Sequence, residues 1–173
     1  MKIWKKQNKG FTLIETLIIL AILGVMLALG YPAIRTNLEK RKLDDTGREI
    51  LTTLQRAKFQ AIRNKTIYSV SFDLAQNSWT LSVYNYTTSQ WDIILTKQIP
   101  SPLTIDNISL PDPDTLEAIN VDDQVVFNSL GFADREGTIT LQNPNLTHYV
   151  GVEDLRLIRV MIGGSINIEK QES

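Results

Sequence analysis

An α+β fold is what this sequence predicts, with a long N-terminal helix packed on an antiparallel β-sheet. Three observations carry that expectation. An apolar run fills residues 11–34, an amphipathic helical stripe follows over residues 35–65, and from residue 66 the hydrophobic period falls from 3.6 to two. Composition agrees, since 43% hydrophobic and 21% charged residues in 173 are ordinary for one globular domain with an appendage. Cysteine is absent, which excludes a disulfide framework and a thiolate zinc site. The formal charge is -1, but Lys2, Lys5, Lys6 and Lys9 contribute to it; without them 14 Lys and Arg face 19 Asp and Glu, a net of -5. An acidic body argues against a general affinity for nucleic acid or anionic lipid.

The first element opens on Lys9-Gly10-Phe11-Thr12-Leu13-Ile14-Glu15. Residues 16–34 then give 19 positions without a formal charge, close to the ~20 that span a hydrocarbon core as a helix. Leu17, Ile18, Ile19, Leu20, Ile22, Leu23, Val25, Met26 and Leu27 leave no polar stripe, which suits lipid or a hydrophobic bundle. Glu15 is the anomaly, because a carboxylate at bilayer depth costs roughly 2.5–3.5 kcal/mol even on the lenient insertion scale. A cleavable secretory signal ending near Ala28-Leu29-Gly30 would use the same basic head, but Glu15 is misplaced in its core. A plain signal anchor also competes. The flanking charges do not orient it, since Arg35, Lys40, Arg41 and Lys42 balance the leading lysines.

The order of basic head, Gly10, Phe11, Thr12, Leu13, Ile14, Glu15 and a long apolar run with Pro32 late in it resembles the class III signal of type IV pilins and type II secretion pseudopilins. The resemblance implies a pilin-like fold. It also implies that prepilin peptidase cuts between Gly10 and Phe11 on the cytoplasmic side and methylates the new amino terminus at Phe11. Residues 1–10 are then a leader, 11–34 a transmembrane and assembly helix, 35–65 its amphipathic continuation and 66–173 a β-rich periplasmic domain. Before assembly the chain is expected to cross the bacterial inner membrane once, with its N-terminus cytoplasmic. An amine freed on Phe11 stands four residues before Glu15, and one helical turn would put the two on one face. The family implies instead that the amine can reach Glu15 of a neighbouring subunit in a filament. Either pairing offsets part of the burial cost, and loss of either partner strands a charge. Pro32 kinks the helix or only loosens a turn; the family's use of proline at this place implies a gentle bend.

Beyond Arg35 the helix continues with a changed face. Leu43, Gly47, Ile50, Leu54, Ala57 and Ala61 form an apolar stripe, while Arg48, Glu49, Gln55, Arg56 and Gln60 fall outside it. The cluster Glu39-Lys40-Arg41-Lys42 with Asp44-Asp45 is most simply a solvated face with local ion pairs. One helix over residues 11–63 would extend ~80 Å at 1.5 Å per residue, so part of it would protrude from a small domain.

After Asn64-Lys65 the period becomes two. Tyr68, Val70 and Phe72 alternate with polar residues, Ala75-Gln76-Asn77-Ser78 is a turn, and Trp79, Leu81 and Val83 alternate again, which predicts a hairpin. A third strand is expected over residues 91–99 and a fourth over 103–110, with Pro100 and Pro102 at the join. Residues 110–114 contain two prolines and predict a loop. Further strands are expected at 124–127, 137–141, 155–162 and 166–168, the last two joined by Gly163-Gly164. Residues 54–65 before the first strand and Phe127-Asn128-Ser129-Leu130-Gly131 resemble the GspH/FimT group of minor pilin-like subunits, which includes type II secretion system protein H.

Catalysis has little to work with. His148 is the single histidine, and with no cysteine there is no nucleophile and base pair, so no catalytic residue, cofactor site or metal site is assigned. Asp112 with Asp114 and Asp122 with Asp123 offer oxygen ligands for a cation such as calcium but no complete calcium loop, and turn formation explains them equally well. Four N-x-S/T sequons, beginning at Asn64, Asn85, Asn107 and Asn145, are taken as composition. Some subunits of the group resemble DNA-uptake receptors with arginines near the C-terminal hairpin. Here no arginine follows Gly163-Gly164, and Arg156 and Arg159 lie upstream on a strand, which disfavours a nucleic-acid partner. The resemblance thus implies a structural pseudopilin of the type II secretion system, with a type IV pilus minor pilin as the alternative. Its implied partners are prepilin peptidase, other pseudopilins and, before assembly, the membrane.

Overall fold

A computed structural model of the protein describes residues 11–110, 123–146 and 154–172. Helix α1, Leu13–Asn64, has 52 residues and is continuous through Pro32. It starts on a cap. The Glu15 amide donates to Thr12 Oγ1 at 3.3 Å, so Thr12 takes the N-cap position and Glu15 the third helical one, the spacing of a capping box. Glu15 also sits in the first turn, where the positive end of the helix dipole favours a carboxylate.

The chain forms two compact units, residues 1–37 and 38–173. In the first, α1 exposes Leu17, Ile18, Leu20, Val25 and Leu27, and an 18-residue window with mean hydropathy 2.5 is wholly unburied. By length and composition this helix can cross a membrane.

The second unit holds the core. Leu43, Gly47, Ile50, Leu54, Ala57 and Ala61 are all buried, as their spacing predicts, whereas Arg48, Gln55 and Arg56 face solvent. Strands follow as β1 Tyr68–Asp73, β2 Ser78–Asn85, β3 Gln90–Gln98, β4 Thr104–Ser109, β5 Gln124–Phe127, β6 Gly137–Gln142, β7 Asp154–Val160 and β8 Ile166–Glu172. Among the described residues every pairing is antiparallel, but the strands make two four-stranded sheets, ordered β3-β2-β1-β5 and β4-β6-β7-β8, where alternation alone suggested one. The division falls at Pro100 and Pro102. Proline cannot donate to a ladder, and beyond it β4 pairs with β6 instead of continuing the first sheet.

Tyr68, Val70, Phe72, Trp79 and Leu81 from the first sheet and Ile139, Leu141, Ile158 and Val160 from the second join the α1 stripe in one hydrophobic cluster. Ala133, in the loop after β5, bridges to Phe127, and its amide donates to the carbonyl of Ile162 just beyond β7 at 2.9 Å. The outer strand β3 carries Trp91, Ile93 and Ile94 on exposed positions.

The charged cluster at residues 39–45 departs from expectation. Arg41, Lys42 and Asp45 are exposed, but Glu39 and Asn143 are buried, and Asn143 Nδ2 donates to Glu39 Oε2 at 3.1 Å. Asp44 accepts from Arg156 Nε on β7. Residues 39 and 44 bracket the buried Leu43 on the helix, so their side chains reach the segments that cover it. Charge alone did not distinguish them from their solvated neighbours.

Candidate assembly site

Gly10 lies outside the described residues, so the Gly10-Phe11 bond is seen only from its Phe11 side. Phe11 is exposed and precedes α1. In the uncut chain Phe11 is joined to Gly10 and stands outside the helix, which begins at Leu13 behind its Thr12 cap. Glu15 is exposed and has no ion-pair partner among the described residues. Thr16 Oγ1 reinforces the same turn by donating to the Thr12 carbonyl at 3.3 Å. The result is a fixed backbone presenting one carboxylate at the head of an apolar helix. A carboxylate so placed can accept hydrogen bonds or pair with a cation.

In the second unit, three segments converge on Lys58, whose Nζ donates to the Gly164 carbonyl at 2.8 Å. Gly131 and Gly164 both take left-handed conformations, with φ of 84° and 73°. A Cβ on Gly164 would stand 2.1 Å from the Gly131 carbonyl oxygen. The β7-β8 turn can therefore approach the turn after Phe127 this closely only with a glycine at 164. Sequence reasoning located the Gly163-Gly164 turn and singled out residues 127–131 only for their resemblance, and it missed the contact, since the signal for a turn says nothing of what the turn meets.

The arginines weighed for nucleic acid are engaged. Arg159 Nη2 lies 3.4 Å from Glu169 Oε2. Arg156 is buried and pairs with Asp154 and Asp44, while Lys40 Nζ stands 3.5 Å from Asp154 Oδ2. Burial disfavours the Arg156 charge, but hydrogen bonds and attraction from Asp154 and Asp44 outweigh it and hold the guanidinium pKa above its ordinary value. His148, Asp112, Asp114 and Asp122 lie outside the described residues. Among the described residues no group of three or more histidines or carboxylates is placed to hold a metal ion.

Comparison with known proteins gives two family matches. The model for type II transport protein GspH matches residues 46–164, more than half of the chain. The chain belongs to the GspH family. The prokaryotic N-terminal methylation motif matches residues 5–31 of this GspH-family chain. Among curated proteins, pilin-like protein PilA1 of Thermus thermophilus is 42% identical over 56 residues, 32% of this chain and 35% of its own length. The match thus spans about a third of that relative. Among solved structures, the minor pseudopilin EpsH of the Vibrio cholerae type II secretion system superposes with a TM-score of 0.55 at 14% identity, over 78% of this chain and 98% of EpsH. The type IV minor pilin FimU of Pseudomonas aeruginosa gives 0.54 at 15% identity, over 76% and 90%. At these identities the likeness is one of fold: a long N-terminal helix on antiparallel sheets. The family match thus relates the chain to type II transport proteins, and the solved structures show the pilin-like fold.

Proposed function

We propose that this GspH-family chain is a minor pseudopilin, a structural and not an enzymatic subunit of the type II secretion pseudopilus. One conjunction carries the reading: an N-terminal methylation motif followed in the same chain by a GspH-family domain. Prepilin peptidase cuts between Gly10 and Phe11, methylates Phe11 and releases residues 1–10. The helix over 11–34 anchors the subunit in the bacterial inner membrane, N-terminus cytoplasmic, with the sheet domain periplasmic. On assembly that helix leaves the bilayer and packs with those of other pseudopilins. Glu15, capped in place by Thr12 and lacking a described ion-pair partner, receives the Phe11 amine of a neighbour, which offsets part of its burial cost.

The test is processing in the native host. Gly10→Leu is expected to accumulate as uncleaved precursor on immunoblots, and mass spectrometry of the wild-type chain to find N-methylated Phe11. Normal trimming of the variant, or a mature terminus at Tyr31, overturns the reading. Glu15→Gln should be cut normally yet drop out of sheared filament fractions.

A type IV pilus minor pilin is the second reading, favoured by the fold likeness to FimU and the PilA1 match. Deletion separates the two: loss of secretion with pili intact supports the pseudopilus, and the converse supports the pilus.

A further inference from the structure

Among the described residues four strands stand at the margins of the two sheets, and three of them are guarded. β5 is four residues long and its free side is taken: the Val126 amide donates to Asp134 Oδ1 at 2.8 Å, and the Asp134 amide to the Val126 carbonyl at 2.9 Å. β8 carries Glu169, Lys170 and Glu172, and β4 shifts register between Ile105 and Asn107, around Asp106. Charges and bulges are the usual means by which an edge refuses another strand. β3 differs. Its far half is tied to α1 through Lys97 and Glu49, but residues 90–93 are all exposed and carry a single charge, Asp92.

The backbone of this half points outward. The Tyr84 amide donates to the Ile67 carbonyl at 2.9 Å, toward β1, so Tyr84 and Ser82, two residues apart on β2, turn their N–H and C=O groups to that side. Their partners across the β2-β3 pair, Trp91 and Ile93, therefore sit at non-hydrogen-bonded positions and direct their own N–H and C=O groups away from the sheet. Asp92, opposite Val83, faces β2 instead. Trp91 and Ile93 also share one face of the sheet; Ile93 has 70% of its surface open, and Trp91 stands edge-on to Tyr84 with ring centroids 5.3 Å apart. The register shift between Leu81 and Ser82 leaves Ile94 as the extra residue, exposed beside Ile93, and ends the regular stretch.

We propose that residues 90–93 of β3 form a docking edge for an extended segment of a different protein, which joins the first sheet as its fifth strand. The free ladder groups of Trp91 and Ile93 call for an extended backbone, and main-chain hydrogen bonds supply the binding. A residue opposite Trp91 or Ile93 has its side chain on their face, where an apolar group packs against them. The residue between lies opposite Asp92, whose carboxylate has no ion pair among the described residues and is complemented by Lys or Arg. The recognised pattern is thus apolar, basic, apolar. A second copy is the weaker occupant. Antiparallel pairing of two β3 edges through Trp91 and Ile93 sets Asp92 directly opposite Asp92, and like charges so placed are destabilising. The docking requires neither the pseudopilus nor the pilus reading, because the edge lies wholly within the sheet domain.

Photocrosslinking of the full-length chain in its native host tests it, with a photoreactive amino acid in place of Gln90. The expected adduct joins this chain to a different protein and maps by mass spectrometry to an apolar-basic-apolar stretch of that partner. Ile93→Pro removes one outward N–H and spares the β2 ladder, so the full chain should keep its protease resistance while the adduct falls at least about tenfold. Ile93→Val keeps the donor and should keep the adduct. Amide exchange gives a second readout that needs no proline variant. In the purified wild-type chain in micelles the Trp91 and Ile93 amides should exchange freely while that of Asp92 is protected, and in the purified adduct both should slow at least about tenfold. No adduct, an adduct between two copies of this chain, one indifferent to Ile93→Pro in a folded chain, or one in which the Trp91 and Ile93 amides stay fast overturns the proposal.

Discussion

Arg156→Met tests the ion cluster that ties α1 to β7. The guanidinium side chain is 3% exposed and the Asp154 side chain 2%, so their pairing is screened by protein and not by water. Asp44, 44% exposed, is partly solvated and would lose little on its own. Removing Arg156 leaves the Asp154 carboxylate buried, with Lys40 Nζ still 3.5 Å from an Oδ2 that lacks a hydrogen bond. Breaking a buried pair from one side costs about 3–5 kcal/mol, and the retained lysine places this case near the lower end, ~3 kcal/mol. Arg156→Met combined with Asp154→Asn removes the stranded charge and should recover ~1–2 kcal/mol of that loss. Urea unfolding of the full chain in detergent micelles, followed by near-UV circular dichroism, measures both. A loss below ~1 kcal/mol for the single variant, or a double variant no more stable than it, would refute the assignment of a stabilising buried pair. The folded pKa of Arg156 lies above its ordinary value, so its contribution is fully present at lower pH and is lost only as pH rises through that folded value, far into the alkaline range. The wild-type stability assigned to this arginine should thus stay level across neutral pH.

Two further substitutions probe packing and turn geometry. Trp79 is fully buried and its Nε1 donates to Thr53 Oγ1 at 3.3 Å, so Trp79→Ala should cost ~3–5 kcal/mol in the same unfolding measurement, with Trp79→Phe intermediate. Gly164→Ala places a Cβ against a backbone oxygen at a left-handed φ, and a loss of ~2–3 kcal/mol is expected together with faster amide exchange at Ala133 and Met161.

Periodicity made the elements legible. The six positions of the α1 stripe are all buried, and each expected strand overlaps an observed one, because a helix or strand half-buried in a core repeats its apolar residues at the spacing of its own backbone. Partition into sheets is not a local property. Val70 and Ile139 alternate alike yet serve different sheets, and only the proline-bearing join between β3 and β4 hinted at a break. Glu39 and Asp44 were read with their solvated neighbours because partner choice across more than a hundred residues leaves no spacing signal. At the N-terminus the Thr12 to Glu15 spacing was visible as part of a family motif, while its capping geometry is a separate physical fact about the same residues.

The two-sheet arrangement also imposes an order on synthesis. Strands β1, β2 and β3 are consecutive neighbours in one sheet, so a nascent chain can lay this meander against α1 while the rest is still being made. The second sheet cannot do so. Thr104 waits for Gln142 and Ser109 for Thr138, and β6 in turn waits for β7, which supplies Ile158 and Val160 to the shared core. A ribosome that stops short of residue 154 therefore releases a chain with β6 as an open edge, bare to the nearest unpaired strand of another molecule.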